Sequence, residues 1–152
     1  MSLETIALAS DHAGFNLKML LKLELENNGH KVLDLGTHSK DSVDYPDFAF
    51  ALGQALCNKK AGTGVLICGT GIGISIAANR HPSIRAALVH DALGARLSRL
   101  HNNANVICFG ERMIGEEVAK DCLAAFLQTD FEGGRHSRRV DKLNQFDYNH
   151  KI

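Results

Sequence analysis

A cysteine stands directly before a run of glycines at Cys68-Gly69-Thr70-Gly71-Ile72-Gly73. A thiol beside a helix N-terminus can work as a thiolate, either as an acid–base group or as a nucleophile. Backbone freed of side chains can turn its N–H groups toward an anion or a developing oxyanion. Spacing disfavours two commoner uses of such glycines. The dinucleotide pattern G-x-G-x-x-G needs glycine at 74 or 76, and both are isoleucine; the Walker pattern needs a lysine that does not follow. Taken alone, the cysteine also fits an inert core position and the glycines a tight strand-to-helix turn.

Other residue types invite chemistry. Asp11-His12 follows the first apolar run, either as a ligand pair or as a helix cap. His101, with Asn102, lies in the polar run His-Asn-Asn-Ala-Asn105, where a histidine can catalyse or merely cap a helix. Arg112, Arg135 and Arg139 could form a phosphate clamp, since guanidinium forks match phosphate oxygens, or could simply be solvated. Tyr45, in Asp44-Tyr-Pro-Asp47, could bring a hydroxyl to a polar substrate or open a helix.

The elements that must position these groups alternate between strand-length apolar runs and runs of helical period. Strands are expected at Thr5–Ser10, Lys31–Asp34, Gly64–Cys68, Arg85–Val89 and Asn105–Phe109. The Gly64–Cys68 run is continuously apolar, which suits a central strand buried on both faces. Helices are expected from Gly14 to Asn28 with Phe15, Met19, Leu20 and Leu23 inward, from Pro46 to about Asn58, and from the glycine loop to Asn79. Three more run from the Asp91 cap to Leu100, from Gly115 to Leu127 with Val118, Cys122, Leu123 and Phe126 inward, and from Val140 to Tyr148. The expected architecture is α/β: a three-layer α/β/α Rossmann-like domain with a five-stranded parallel sheet. Residues 1–152 read as one domain, and 131–152, basic and glycine-rich at its start, as a C-terminal helical arm. In such sheets ligands bind beyond the carboxyl ends of the strands, where Asp11, Cys68, His90 and Arg112 fall.

The chain has 152 residues, enough for one core and short for two. Seventeen basic residues balance seventeen acidic ones, so no net field gathers nucleic acid or an anionic membrane. The first residues carry no signal pattern and no run approaches a membrane span, which makes a cytoplasmic protein the expectation. Cys57, Cys68, Cys108 and Cys122 are dispersed, without C-x-x-C or zinc-finger spacing, so reduced thiols and no metal are expected.

Five blocks occur in order: Asp11-His-Ala-Gly14, Asp44-Tyr-Pro-Asp47, Ile67-Cys-Gly-Thr-Gly-Ile-Gly-Ile-Ser-Ile-Ala-Ala-Asn79, Leu97-Ser-Arg-Leu-His-Asn-Asn-Ala-Asn-Val106 and Gly133-Gly-Arg-His136. Together they closely resemble the B-type ribose-5-phosphate isomerases across nearly the whole chain. The resemblance implies interconversion of ribose 5-phosphate and ribulose 5-phosphate through an enediolate, without a cofactor. It implies a homodimer, or a dimer of dimers, with sites between subunits. Cys68 matches the family's base, Thr70 an assistant at the substrate oxygens, and His101 the histidine that opens the furanose ring. Gly69, Gly71, Ile72 and Gly73 would offer N–H groups to the enediolate, Asn102 would hold a substrate oxygen, and Asp11 would contact sugar hydroxyls. His12, Arg112, Arg135 and Arg139 match positions around the phosphate. One branch of the family places a glutamate base on the helix after the glycine loop; here Ile74-Ser75 occupies that neighbourhood, which favours the thiol branch. Galactose-6-phosphate and allose-6-phosphate isomerases share the scaffold, and a phosphosugar-binding sensor or a flavodoxin-like module are rivals of other classes.

Overall fold

Each strand-length run is followed by a helix that carries the chain back, so successive strands must pair in parallel. The computed structural model describes residues 4–145. β1 (Thr5–Ser10), β2 (Lys31–Asp34), β3 (Thr63–Cys68), β4 (Ala86–Leu88) and β5 (Val106–Gly110) form one sheet in the order β2-β1-β3-β5-β4, every pair parallel. β3 is the middle strand, as its unbroken apolar run requires.

Alternate residues of the strands face opposite layers. Val65 and Ile67 of β3, with Ile107 and Phe109 of β5, pack against α1 (Phe15–Asn27), α4 (Ala92–Asn102) and α5 (Glu116–Gln128). Leu66 and Cys68, with Val106 and Cys108, pack against α2 (Tyr45–Cys57) and α3 (Ile72–Asn79). The result is the three-layer α/β/α arrangement that the alternation predicts.

Several local expectations change. On α1 the buried stripe is Leu17, Leu21 and Leu25, joined by Lys18, while Met19 and Leu23 are exposed. Apolar residues surround that helix, so its period alone does not say which side meets the sheet. On α5 Ala119 takes the inward place expected of Val118, which is exposed. α4 runs two residues past Leu100, carrying His101 and Asn102 in its last turn; Asn103, at φ 45°, stops it in the left-handed conformation that asparagine tolerates. α6 spans Arg135–Asn144, so the arm becomes helical five residues before Val140, immediately after Gly133-Gly134. The end expected at Tyr148 lies outside the described residues.

Candidate active site

Cys68 ends β3, 4% exposed, and its Sγ accepts a hydrogen bond from the Gly71 N–H at 3.1 Å. An N–H aimed at the sulfur stabilises a thiolate when one forms. The chain reaches that geometry because Gly71 takes φ 77°, and a Cβ there would lie 2.5 Å from Leu88 Cδ1 and 2.8 Å from the Phe109 carbonyl carbon. α3 begins at the next residue. Its four leading N–H groups, at Gly71 to Ile74, have no acceptor within the helix. Gly71 is taken by the sulfur and Ile72 by Thr70 Oγ1 at 3.2 Å, and Ile74 is wholly buried, which leaves the half-buried Gly73 as a donor for an oxyanion.

The neighbouring strand ends surround this loop. Arg112 packs its guanidinium over Gly69, where a Cβ would meet Nη1 at 3.1 Å, and the Tyr45 ring lies so close to Gly73 that a Cβ would meet Cζ at 2.6 Å. The turn after β5 is stitched to the loop by Glu111 N–H to the Cys68 carbonyl and Arg112 N–H to the Gly69 carbonyl, both 3.0 Å. Asp11, buried at the end of β1, accepts from Gly14 N–H at 3.1 Å. His12 Nδ1 accepts from Val43 N–H at 3.1 Å, which leaves Nε2 to carry a proton toward an anion. Asp11, His12, Tyr45, Cys68, Gly69, Thr70, Gly71, Ile72, Gly73 and Arg112 thus gather at the carboxyl edge of the sheet.

The other cysteines have no such setting. Burial, with Cys68 beside it, pushes the Cys108 thiol pKa up; burial first, then Asp121 and Asp91, pushes Cys122 up to about 11. Cys57 is exposed at the end of α2.

His101, Asn102, Arg135 and Arg139 belong to a second group. A helix that follows a strand runs back along it, so the last turn of α4 lies at the amino edge, just before β5 begins at Val106. The β3–β5 register pairs Gly64 with Val106 and Cys68 with Gly110. Four residue rises, about 13 Å, therefore separate the edge near His101 from the edge that holds Cys68. His101 stacks on His136 of α6, ring centroids 4.4 Å apart and planes 18° apart, and Glu132 Oε2 lies 3.6 Å from His136 Nε2. Two cavities, of about 460 and 540 Å3, also open at the amino edge; the first borders Asn102, and neither touches Cys68.

Among the described residues, His101, Glu132 and His136 bring ligand atoms within 4.8 Å of one another. The stack argues against a shared metal ion: lone pairs in the planes of two near-parallel rings run side by side rather than converging. His136 stands inside one of the motifs that carry the resemblance and Glu111 lies outside all of them, and spacing gives neither a role. Glu111 Oε1 accepts from Leu17 N–H at 2.5 Å, across 94 positions of sequence.

The family model described as Ribose/Galactose Isomerase matches residues 6–143. The chain belongs to that family. It is 42% identical over 145 residues to ribose-5-phosphate isomerase B of Escherichia coli, covering 95% of this chain and 97% of that one. It is 45% identical over 143 residues to a probable ribose-5-phosphate isomerase B of Mycoplasma pneumoniae, covering 93% and 94%. Among solved structures, ribose-5-phosphate isomerase B of Clostridium thermocellum superposes with a TM-score of 0.92 at 45% identity, over 93% of this chain and 95% of that one. A ribose 5-phosphate isomerase of Thermotoga maritima gives 0.92 at 49%, over 94% and 99%. The family makes this protein an aldose–ketose isomerase. No helix among the described residues is long and apolar enough to cross a membrane.

Proposed function

We propose that the protein interconverts D-ribose 5-phosphate and D-ribulose 5-phosphate in the pentose phosphate pathway, as a cytoplasmic homodimer of single-domain chains (residues 1–152, with 131–152 as an arm). The observation that carries this reading is Cys68 held against the glycine loop, its sulfur accepting from the Gly71 N–H at the start of α3. Cys68 takes the proton from carbon 2 of the open-chain aldose and returns it to carbon 1, and the enediolate between these steps develops negative charge on oxygen. The Gly73 N–H stabilises that charge, worth about 3 kcal/mol when preorganised. Thr70 assists at the substrate oxygens, Asp11 and Asn102 hold hydroxyls, Tyr45 lines the loop, and His12, Arg112, Arg135 and Arg139 hold the phosphate. No metal or organic cofactor is needed for this proton transfer.

Ring opening by His101 requires a second copy, because within one chain His101 and Cys68 sit at opposite edges of the sheet. Phe50 of α2 and Ile72 and Ile76 of α3 expose apolar side chains beside the loop. A two-fold contact that sets the α3 helices antiparallel covers this face. It also brings each copy's amino edge, with His101, Asn102, Arg135 and Arg139, to the other's Cys68. Such dimers pairing again would give a dimer of dimers.

The experiment is ribulose 5-phosphate formation from ribose 5-phosphate with chelator present, comparing wild type with Cys68→Ser. Galactose 6-phosphate and allose 6-phosphate serve as competing substrates. Turnover of ribose 5-phosphate by wild type alone is the expected result. Preference for a hexose phosphate would keep the mechanism and change the substrate, and binding without turnover would leave a phosphosugar sensor.

A further inference from the structure

His136 serves nothing in the chemistry proposed above, yet it is a polar ring 5% exposed, laid flat on the imidazole of His101. Burying such a ring costs free energy unless its polar atoms or its faces are used. Its edge meets Glu132 at 3.6 Å and the Arg135 Nε, which donates to Nε2 at 3.4 Å. Its face meets the proposed ring-opening histidine.

We infer that His136 is a positioning residue for ring opening: by stacking on His101 it fixes the plane of that imidazole toward the furanose oxygens. This rests on the isomerase reading and on His101 as its ring opener. In ring opening the bond between carbon 1 and the ring oxygen breaks, the ring oxygen gains a proton, and the hydroxyl on carbon 1 loses one as it becomes a carbonyl. An imidazole can serve those transfers only along the directions of its two nitrogens, which lie in its plane. His101 is half-buried in the last turn of α4, where rotation about its side-chain bonds would swing those directions away. A parallel ring at 4.4 Å blocks that rotation.

The surroundings of His136 fit the role. Burial, foremost, and the His101 ring push the His136 pKa down; Glu132 pulls it up, and Arg135 and Arg139 push it down again. Two stacked imidazolium rings would repel, a clash that a neutral His136 avoids.

Ribulose 5-phosphate separates this role from the rest of catalysis. Its carbon-5 oxygen is phosphorylated, so it cannot close to a furanose, and exchange of solvent deuterium into its carbon 1 needs Cys68 but no ring opening. We expect His136→Ala to lower ribose 5-phosphate isomerisation by about 10²-fold, the scale of a misplaced catalytic group, while deuterium exchange stays near the wild-type rate. His136→Phe, which keeps a flat ring on His101, should recover most of the isomerisation. Equal loss of both activities in either variant, or undiminished isomerisation in His136→Ala, overturns the positioning role. A wild-type protein inactive in both assays would instead remove the isomerase reading, and the inference with it.

Discussion

Lys18 and Asp34 form an ion pair at 2.6 Å in which the lysine side chain is wholly enclosed. A buried ammonium is tolerated only with charge and hydrogen-bond partners, and here α1 supplies the cation and the end of β2 the anion. Asp34 also accepts from the Gly36 N–H at 3.0 Å, and Gly36 and Thr37 bond to Ser10, the residue before Asp11. The pair therefore ties α1 to the loop that flanks the site.

Removing the cation leaves Asp34 with Lys22, at 3.4 Å, as its remaining charge partner. Lys18→Met should lower stability by about 3 kcal/mol, the scale for breaking a buried pair on one side, as read by urea unfolding. A second change, Asp34→Leu, in the same chain should return part of that loss. A fully stable Lys18→Met protein would contradict the pair's role.

Asp34 also gives a pH dependence with a definite sign. Burial works to raise its pKa, but the Lys18 hydrogen bond, the Gly36 N–H and the charges of Lys18 and Lys22 outweigh it, so the folded value lies below the ordinary 3.8. The unfolded chain then binds the proton first as pH falls. The contribution of Asp34 is complete above its unfolded pKa and fades as pH drops through the folded one. The stability advantage of wild type over Asp34→Asn, measured by denaturant at pH 6 and in steps downward, should shrink below about pH 4.

Gly71→Ala meets both a positive φ and backbone at 2.8 Å. The strain alone amounts to about 1–2 kcal/mol, and relieving it would turn the Gly71 N–H away from Cys68. Turnover should fall at least tenfold while substrate still binds. Wild-type kcat in that variant would mean the sulfur does not depend on this donor.

Glu111 holds the first turn of α1 through Leu17 N–H and starts the turn that presents Arg112. Glu111→Ala should cost about 1 kcal/mol of stability, as for a lost helix cap. KM for the phosphosugar should rise more than kcat falls, since a loosened Arg112 weakens ground-state and transition-state binding alike. Steady-state kinetics beside thermal melts distinguish this from loss of folding.

If the second copy completes the site, two inactive proteins should rescue each other. Cys68→Ser and His101→Asn, unfolded together and refolded as a mixture, form mixed dimers with one intact site. Random pairing predicts recovery of about one quarter of wild-type activity. Recovery near zero would place both residues of a working site in one chain, against the separation seen in the fold.

The alternation of strands and helices and the thiol–glycine block were legible because they are local. Periodicity reports an element over a dozen consecutive residues, and four consecutive residues bring the Cys68 sulfur to the Gly71 N–H. Facing was less legible: α1 carries apolar side chains all round, and only the sheet decides that Leu17, Leu21 and Leu25 turn inward beside a buried lysine. The sequence by itself thus determined the layered architecture and the middle place of β3, and it supplied the membership proposed for the site. Only the tertiary structure decided how that membership divides. The direction of α4 sends His101 to the edge opposite Cys68, the early start of α6 stacks His136 on it, and Glu111 reaches Leu17 across 94 positions. Those relations depend on which distant segments share a face, and spacing along the chain does not encode them.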